Sequence, residues 1–334
     1  MGLLFRLRSS FSAVVLTALI AACGGSGTAT SSSSSSGSGG AGGAGGHGGS
    51  GGTGGTLPKP LPLSIMDWNV RNYFDTVQDS SEEGVLTSTD YKGKRAGIGA
   101  VVKSLAPDIV MFAEVETKFV LDDLNSSQLD GAYVDSELFE GNDIRGINIG
   151  MLSKIKPDKV VSHKDDSFPK AGTNGPLYRY SRDCLEVHFT FNGRHMVLLG
   201  VHFKAKTAPD DPDKRLAEGQ HTRAIADAIM AEDPGAGVII LGDYNDTPAS
   251  PAVLAVAGAE PTLFVDSASV VPDAQRYSFD YNGTHELIDH QMANPLAAAM
   301  LDPSTVILKH GSGVDDGSKY ASDHAPIFAV YQVR

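Results

Sequence analysis

The sequence predicts an α+β fold in which strands and helices pack as a layered sandwich. The first reason is that short apolar segments typical of strands alternate with two segments of helical periodicity. The second is the Asn192-Gly193 pair, a turn signal that joins two of these strands as a hairpin. No repeat of solenoid period runs through the chain, which argues against a repeat architecture.

The first half of the folding segment contains three predicted strands and one helix. A strand is predicted at Ser64–Val70. A helix follows, because apolar residues recur at positions i, i+3, i+4 and i+7 within Ile98–Leu105, and Pro107 ends it. The apolar segment Ile109–Phe112 predicts a buried strand, and Ile147–Leu152 predicts another.

The second half begins with the predicted hairpin. Apolar residues alternate along Cys184–Phe191, and the Asn192-Gly193 turn connects this strand to a second one at Met196–Phe203. A helix is predicted at Lys214–Met230, where alanines and isoleucines recur on one face. The fully apolar segment Val238–Leu241 then predicts a buried strand.

The composition excludes two broad classes of protein. The chain has 334 residues, a formal net charge of −13, 41% hydrophobic residues and two cysteines. This apolar fraction excludes a wholly disordered acidic protein, and two cysteines cannot make a disulfide scaffold. Because the first 56 residues contain two arginines and no acidic residue, the segment from residue 57 onward carries a charge of −15.

The composition also divides the chain into three segments. Residues 1–23 contain a basic start, an apolar core and a small-residue cleavage site, as signal peptides do. Residues 24–56 are rich in serine and glycine and have little apolar area to offset the entropy of ordering, so we expect a disordered linker. Residues 57–334 are left as the predicted folded domain.

The signal segment resembles that of a bacterial lipoprotein. Arg6 and Arg8 precede the apolar stretch Phe11–Ile20, and the cleavage site Ile20-Ala21-Ala22-Cys23 ends in cysteine. The resemblance implies that Cys23 is acylated and anchors the protein in the bacterial cell envelope, since more than one acyl chain gives stable anchoring. A plain secretory signal with an incidental cysteine is the alternative.

Polar residues stand at the ends of six predicted strands, where loops can gather them over a rigid scaffold. Carboxylates and carboxamides without a Cys/His zinc spacing offer the oxygen ligands that Mg²⁺, Ca²⁺ or Mn²⁺ prefer. Such an ion would supply positive charge that the acidic chain lacks, which indicates a site for phosphate chemistry. The residues are Asn69, Glu114, His202, Asp243 with Asn245, Asp289, and Asp323 with His324.

The motifs around these residues, in their order and spacing, resemble the endonuclease/exonuclease/phosphatase superfamily. They are Asn69-Val70-Arg71, Phe112-Ala113-Glu114-Val115, Ile149-Gly150-Met151-Leu152-Ser153, Val201-His202-Phe203-Lys204, Gly242-Asp243-Tyr244-Asn245-Asp246, Leu287-Ile288-Asp289-His290 and Ser322-Asp323-His324-Ala325-Pro326. The resemblance implies a four-layered α/β/β/α sandwich of two packed, mostly antiparallel sheets flanked by helices. It also implies metal-dependent cleavage of a phosphoester by water at one end of the sheets.

The resemblance assigns one group of residues to metal and phosphate binding. Glu114 and Asn69 match the metal ligands, and Asp323 matches a residue near the same ion, with Mg²⁺ as the expected cofactor and Mn²⁺ or Ca²⁺ as alternatives. Arg71 and Arg182 resemble arginines that contact the substrate phosphate. An ion pair without substrate contact is the alternative role for both arginines.

A second group matches the residues that move protons and stabilise charge. His324 matches the general base and Asp289 its carboxylate partner, which raises the basicity of the imidazole. Asp243 and Asn245 match the pair that positions the attacking water and contacts the phosphate. His202 matches the histidine that stabilises the transition state or assists the leaving group.

The expected function is that of a surface-anchored, metal-dependent nuclease. The alternatives are a phosphatase or sphingomyelinase-like phospholipase acting on a lipid headgroup or small phosphate ester, and a binding module that has lost activity. The acidic chain and Glu116, which stands where the deoxyribonuclease branch tends to carry a basic residue, argue against a wide DNA footprint. The expected partners are therefore a short nucleic acid or other phosphodiester and the membrane, with no protein partner.

Overall fold

Two six-stranded sheets dominate the computed structural model of the protein, which describes residues 59–207, 209–281, 283–310 and 322–334. The predicted lipoprotein signal, Cys23 and the linker lie outside the described residues, so they stay predictions. All described residues belong to one compact unit. No helix within the described ranges combines the length and hydropathy needed to cross a bilayer.

The described residues contain sixteen strands and five α-helices. The strands are β1 (Leu61–Tyr73), β2 (Ile109–Val115), β3 (Asp135–Leu138), β4 (Asn148–Ser153), β5 (Lys159–Ser162), β6 (Phe168–Pro169), β7 (Leu177–Tyr178), β8 (Cys184–Phe191), β9 (Arg194–His202), β10 (Gly237–Asp243), β11 (Val265–Asp266), β12 (Phe279–Tyr281), β13 (Thr284–Glu286), β14 (Asp289–Ala293), β15 (Leu301–Leu308) and β16 (Ile327–Val333). The helices are α1 (Ser88–Leu105), α2 (Lys118–Gln128), α3 (Pro212–Glu232), α4 (Pro251–Ala257) and α5 (Pro295–Ala298).

Each sheet contains one parallel pair among antiparallel neighbours. The first has the order β15-β16-β1-β2-β4-β3, and only β1 and β2 are parallel. The second has the order β11-β14-β10-β9-β8-β5, and only β9 and β10 are parallel. The prediction of two mostly antiparallel sheets is confirmed.

The burial pattern gives the sandwich its four layers. Side chains on successive positions of a strand point to opposite faces, and Ile65 joins the core between the sheets while Met66 packs beneath α1 and α2. On the second sheet, Leu198 lies in the same central core, and Val197 packs on the α3 side. Both faces of both sheets are therefore covered with apolar contacts, as the α/β/β/α prediction requires.

The helix that the sequence placed at Lys214–Met230 begins two residues earlier, at Pro212. The Asp211 carboxylate accepts a hydrogen bond from the Lys214 backbone N–H at 2.9 Å, which satisfies a donor of the first turn. Proline at the first helical position needs no hydrogen-bond partner for its nitrogen. Asp211 thus caps the first turn of α3.

Candidate active site

Strand pairing brings the predicted polar residues to one end of the sandwich. Asp243, the last residue of β10, lies opposite His202 of β9 on one side and Asp289 of β14 on the other. In the first sheet, Asn69 pairs with Ala113, so that Glu114 follows directly beside it. The parallel pairs align their carboxyl ends, which is why residues distant in sequence converge here.

The backbone at this end adopts unusual conformations. Four non-glycine residues have positive φ: Arg71 (48°), Asn72 (51°), Glu114 (65°) and Asn245 (53°). Such a conformation costs about 1–2 kcal/mol for a residue with a Cβ atom, and it clusters where function constrains the chain. Gly242 has φ 128°, and a Cβ there would lie 2.2 Å from the Val201 carbonyl oxygen, so only glycine allows the approach to β9.

Asn69 connects the two sheets at the centre of the site. Its Nδ2 donates to Asp243 Oδ2 at 2.9 Å and to Glu114 Oε1 at 3.3 Å, while its Oδ1 accepts the Arg71 backbone N–H at 2.8 Å. His202 Nε2 lies 3.4 Å from the same Asp243 oxygen and 4.0 Å from Glu114 Oε1. Burial, with the nearby positive groups of Arg182, His324 and Arg145, holds the pKa of His202 well below its usual range. The imidazole of His202 is therefore neutral.

His324 and Asp289 form a buried pair on the other side of Asp243. His324 Nδ1 lies 2.7 Å from Asp289 Oδ2, and the ligand atoms of Asp243, Asp289 and His324 lie within 4.8 Å of one another. The backbone of His324 is held by Trp68 Nε1, which donates to its carbonyl at 2.7 Å, and by Ser322 Oγ, which accepts its N–H at 3.0 Å.

The pKa values of His324 and Asp243 are both raised. Burial disfavours the imidazolium of His324, but the charge and hydrogen bond of Asp289, with Asp243 and Asp323 beyond, raise its pKa to about 10. Burial and the charge of Asp289 raise the pKa of Asp243 to about 7, although His324 and the bonds from Asn69 and Asn245 oppose this. The site therefore favours a charged His324, and Asp243 takes up a proton more readily than an ordinary aspartate does.

Asn245 lies beside Asp243, as the sequence predicted. Its backbone N–H donates to Asp243 Oδ1 at 2.7 Å, and its Nδ2 donates to the Phe203 carbonyl at 3.1 Å. These bonds fix one oxygen of Asp243 and leave the other facing Asn69 and His202.

Arg71 and Asp323 lie at the mouth of the site. Arg71 Nη1 is 3.3 Å from Asp323 Oδ2, and half of the arginine side chain is exposed. Arg71 is therefore free to exchange this weak surface pair for a substrate phosphate.

The sequence did not predict Lys94, a buried lysine of α1 near these groups. Burial lowers its pKa to about 8; the charges of Glu114 and Asp323 oppose this, and Arg71 adds to it. Lys94 lies four residues before Ile98, on the apolar face of the helix. A lysine on an apolar helix face is the signal that could have identified it.

Arg182 occupies a different place from the one predicted. Only 4% of its side chain is exposed, its Nε lies 2.9 Å from Asp143 Oδ2, and its Nη1 donates to the Phe203 carbonyl at 2.8 Å. Its guanidinium is thus engaged inside the protein, since a buried arginine requires a partner for its charge. We correct the predicted phosphate contact: Arg182 supports the loop that follows His202.

Removing this support is expected to lower stability. Arg182→Ala should reduce the free energy of unfolding by about 2–4 kcal/mol, because it removes a buried ion pair with Asp143 and one of the two donors to the buried Phe203 carbonyl. Urea unfolding measures the loss. Arg145→Ala is the control, since Arg145 pairs with the same Asp143 but is 45% exposed, and it should cost less than about 1 kcal/mol. Equal losses would show that burial of Arg182 contributes nothing.

The comparison with known families decides the identity of the fold. Residues 64–294 match the model of the Endonuclease/Exonuclease/phosphatase family. The chain belongs to this endonuclease/exonuclease/phosphatase family. Its fold indicates a phosphoesterase hydrolase, and enzymes of the family use divalent metal ions. Asp323 and His324 lie beyond the matched residues, and the pairing of β16 with β1 brings them to the site.

Solved structures with the same fold include three from animals and bacteria. Zebrafish TDP2 in complex with a single-strand DNA product is 20% identical, with a TM-score of 0.55 and coverage of 81% of this chain and 98% of the other. The human Nocturnin catalytic domain with bound sulfate is 14% identical, with a TM-score of 0.56 and coverage of 81% and 95%.

The bacterial structure is an endonuclease/exonuclease/phosphatase from Beutenbergia cavernae, which is 20% identical with a TM-score of 0.54 and coverage of 81% and 72%. No curated protein matches the chain in sequence. The structural similarity thus supports the fold of the family, while the details of the site rest on the residues themselves.

The residues present fit a divalent ion that prefers oxygen ligands. Within the described residues, Asp289 Oδ1 and Asp323 Oδ1 are buried and have no hydrogen-bond partner. A buried carboxylate oxygen without a donor is costly, and a cation satisfies it. Carboxylates and a carboxamide without cysteine form the donor set expected for Mg²⁺, Mn²⁺ or Ca²⁺.

Proposed function

We propose that the protein is a metal-dependent nuclease that hydrolyses phosphodiester bonds of short or single-stranded nucleic acid. The observation that carries this proposal is the convergence of Asp243, Asp289 and Asp323 around a charged His324, with Glu114 joined to Asp243 through Asn69. Such a site can hold a cation and a phosphate together while keeping a proton acceptor nearby.

Glu114, Asn69 and Asp323 are the residues that would hold the ion. A bound Mg²⁺ would polarise the phosphate oxygens and stabilise the negative charge that develops during cleavage. The amide nitrogen of Asn69 points toward Glu114. Rotation of the amide by 180° would present its oxygen to the ion instead. That rotation would break the hydrogen bonds of Asn69 to Asp243, Glu114 and the Arg71 backbone N–H, so binding of the ion would have to compensate for them.

The protonation of His324 and Asp243 supports a division of proton transfer other than the one that the sequence predicts. The sequence predicts that His324 is the general base, but an imidazole whose pKa is raised to about 10 is protonated at neutral pH. Asp243, whose pKa is about 7, is matched to accept a proton from water under the same conditions. We therefore propose Asp243 as the base and His324 as the group that stabilises negative phosphate oxygens.

The remaining residues of the site stabilise charge, attract the phosphate or position Asp243. The neutral His202, beside Asp243, can donate a hydrogen bond from Nε2 to a phosphate or leaving-group oxygen. Arg71 at the mouth and Lys94 beneath it supply the positive charge that draws a phosphate into an otherwise acidic site. Asn245 holds Asp243 in position through its backbone N–H.

One observation favours nucleic acid as the substrate, and a second removes an argument against it. Zebrafish TDP2, which shares the fold, holds a single-strand DNA product. Glu116, which argued against DNA in the sequence, is only 2% exposed, and its carboxylate accepts a hydrogen bond from the Asp75 backbone. Because it does not face solvent, Glu116 does not repel a substrate in the cleft. The overall negative charge still favours a small phosphate footprint.

The proposal is tested with the full chain on three substrates. Supercoiled plasmid, a labelled single-stranded oligonucleotide and a chromogenic phosphodiester are incubated with Mg²⁺, Mn²⁺ or EDTA. We expect metal-dependent cleavage of the oligonucleotide, with weaker activity on plasmid. Hydrolysis of the chromogenic diester alone would overturn the nuclease proposal and favour a lipid headgroup or small ester, which mixed micelles of sphingomyelin would then test. His285→Ala, a change at an exposed histidine, serves as the control.

Replacing the metal ligand is expected to change the metal requirement. Glu114→Gln keeps the size of the side chain and removes its charge, so the Mg²⁺ concentration for half-maximal activity should rise by about 10-fold or more. Activity titrated against Mg²⁺ measures this. Glu137→Gln is the matched control on β3, an edge strand of the same sheet. An unchanged requirement in Glu114→Gln would remove Glu114 from the ion.

We also propose that the protein is anchored in the bacterial cell envelope through acylated Cys23, which the sequence supports. Cys23→Ala should move the protein from the membrane fraction to the soluble fraction and abolish incorporation of labelled palmitate, because the acyl chains supply the membrane affinity. Wild-type protein that stays soluble and unlabelled would instead indicate a plain secretory signal.

A further inference from the structure

A second group of ionisable side chains lies on the hairpin of β8 and β9, far from the active site. His188 of β8 is paired with Val197, and His195 of β9 is paired with Thr190, so the two histidines are diagonal neighbours on one face of the hairpin. His195 precedes His202 by seven residues along β9, which corresponds to roughly 23 Å of extended strand. The cluster is therefore separate from the catalytic residues.

The two imidazole rings of His188 and His195 meet end to end. His188 Nδ1 lies 2.8 Å from His195 Nε2. The ring planes differ by 19° and the ring centroids are 5.1 Å apart, a separation that places the facing nitrogens between the rings rather than stacking the faces. The two nitrogens thus face one another.

The outer nitrogen of each ring is held by a carboxylate. His188 Nε2 donates to Glu186 Oε1 at 2.6 Å, and His195 Nδ1 donates to Asp233 Oδ2 at 2.8 Å. Because carboxylates accept, the hydrogen of each ring is fixed on the outer nitrogen, and both inner nitrogens are left with lone pairs. A proton shared between the inner nitrogens is then needed to join them at 2.8 Å.

Glu186 is held as a carboxylate by its surroundings. Burial favours its neutral form, but hydrogen bonds from His163, His188 and Lys159 keep its pKa well below its usual range. Its second oxygen lies 3.0 Å from His163 Nε2. The charge on Glu186 fixes the orientation of His188, since a ligating histidine is commonly held by a carboxylate on its other nitrogen.

The histidines are accessible to small ions. They line a cavity of about 590 Å³, together with Glu232 and Asp233, at the side of α3. About a third of the His195 side chain is exposed, and His188 is 12% exposed. The carboxylates around the cavity favour a cation over an anion, and the space accommodates water molecules that complete its coordination.

We propose that His188 and His195 form a binding site for a first-row transition-metal dication such as Cu²⁺ or Zn²⁺. The ion takes the place of the shared proton: two nitrogen–metal bonds form, one proton is released to solvent, and water fills the other positions. At a tetrahedral angle, bonds of about 2.0–2.1 Å place the two nitrogens roughly half an ångström farther apart than they are now, and a χ rotation of the partly exposed His195 turns its nitrogen toward the ion.

The chemistry of the donors separates this site from the active site. Imidazole nitrogens suit Cu²⁺, Ni²⁺ and Zn²⁺, whereas Mg²⁺ and Ca²⁺ prefer the oxygen ligands of the catalytic cluster. The affinity should follow the order Cu²⁺ above Zn²⁺. The inference does not depend on the proposed nuclease activity, since none of its residues lies in that site.

The test is metal binding by the full chain in the presence of excess Mg²⁺, which competes for oxygen sites. Cu²⁺ is added and followed by electron paramagnetic resonance, where coupling to two imidazole nitrogens is expected, and Zn²⁺ binding is followed by calorimetry. His195→Ala should weaken binding of both ions by at least 10-fold. His285→Ala, which removes an exposed histidine elsewhere, should leave binding unchanged.

His195→Gln and circular dichroism keep the result interpretable if the alanine variant unfolds. Glutamine retains the size of the side chain without the imidazole, so a folded His195→Gln variant should also bind weakly. Equal Cu²⁺ affinity in wild type and folded His195→Gln would overturn the proposal. A wild-type spectrum without nitrogen coupling would overturn it as well.

Discussion

The His324→Ala variant is expected to hydrolyse phosphodiesters with a kcat about 10²–10⁴ times lower than that of the wild type. The charged imidazole stands beside Asp243 and the proposed phosphate position, where it stabilises negative charge that is larger in the transition state than in the bound substrate. KM should change less than kcat for the same reason. Steady-state kinetics on the oligonucleotide measure both values.

The same substitution is also expected to lower stability, by about 3–5 kcal/mol, because it leaves Asp289 buried without its partner. The double variant His324→Ala/Asp289→Asn separates the two effects. Removing both charges should restore part of the free energy of unfolding in urea, whereas the activity should stay low. If the activity returned together with the stability, His324 would support the fold without acting on the substrate.

The sequence predicted the architecture well because the central strands carry strong patterns. The core segments Ile109–Phe112 and Val238–Leu241 are apolar on both faces, as strands covered by layers on both sides must be. Helix α2 was missed because its buried face consists only of Val120, Leu121 and Leu124, too few residues to establish a helical period. The short strand β3 has no fully buried residue and therefore no apolar signal.

The sequence predicted which residues form the candidate site better than it predicted their protonation states. The positions at strand ends and the motifs predicted that one site contains Asn69, Glu114, Asp243, Asp289 and His324. The register of the paired strands explains why these residues lie together. The raised pKa of His324 follows from burial opposed by three carboxylates, which is a property of distances that the sequence does not contain.

The sequence also did not predict the burial of two further residues. Arg182 lies in a buried ion pair, and Glu116 bonds a neighbouring backbone N–H, although each stands in a motif that suggests contact with substrate. Packing from elements distant in sequence decides such cases, because it determines which side of a strand or loop faces the cleft.

The pH profile of activity distinguishes Asp243 from His324 as the general base. With Asp243 as the base, kcat rises with pH as this carboxyl, whose pKa burial and Asp289 raise to about 7, loses its proton. It falls at higher pH as His324, whose pKa is about 10, loses its own. The profile of the wild type is therefore bell-shaped, with the acid form of His324 and the base form of Asp243 both required.

The two variants change the rising limb of this profile in different ways. Asp243→Asn should lower kcat by about 10²–10⁴ and abolish the rising limb, since the amide cannot accept a proton. His324→Ala removes the cation that lowers the pKa of Asp243, so its rising limb should move to higher pH. Both profiles are measured at one saturating Mg²⁺ concentration. A rising limb that survives in Asp243→Asn and is lost in His324→Ala would return the role of base to His324, and the high pKa of the imidazole would then restrict the free enzyme to alkaline activity.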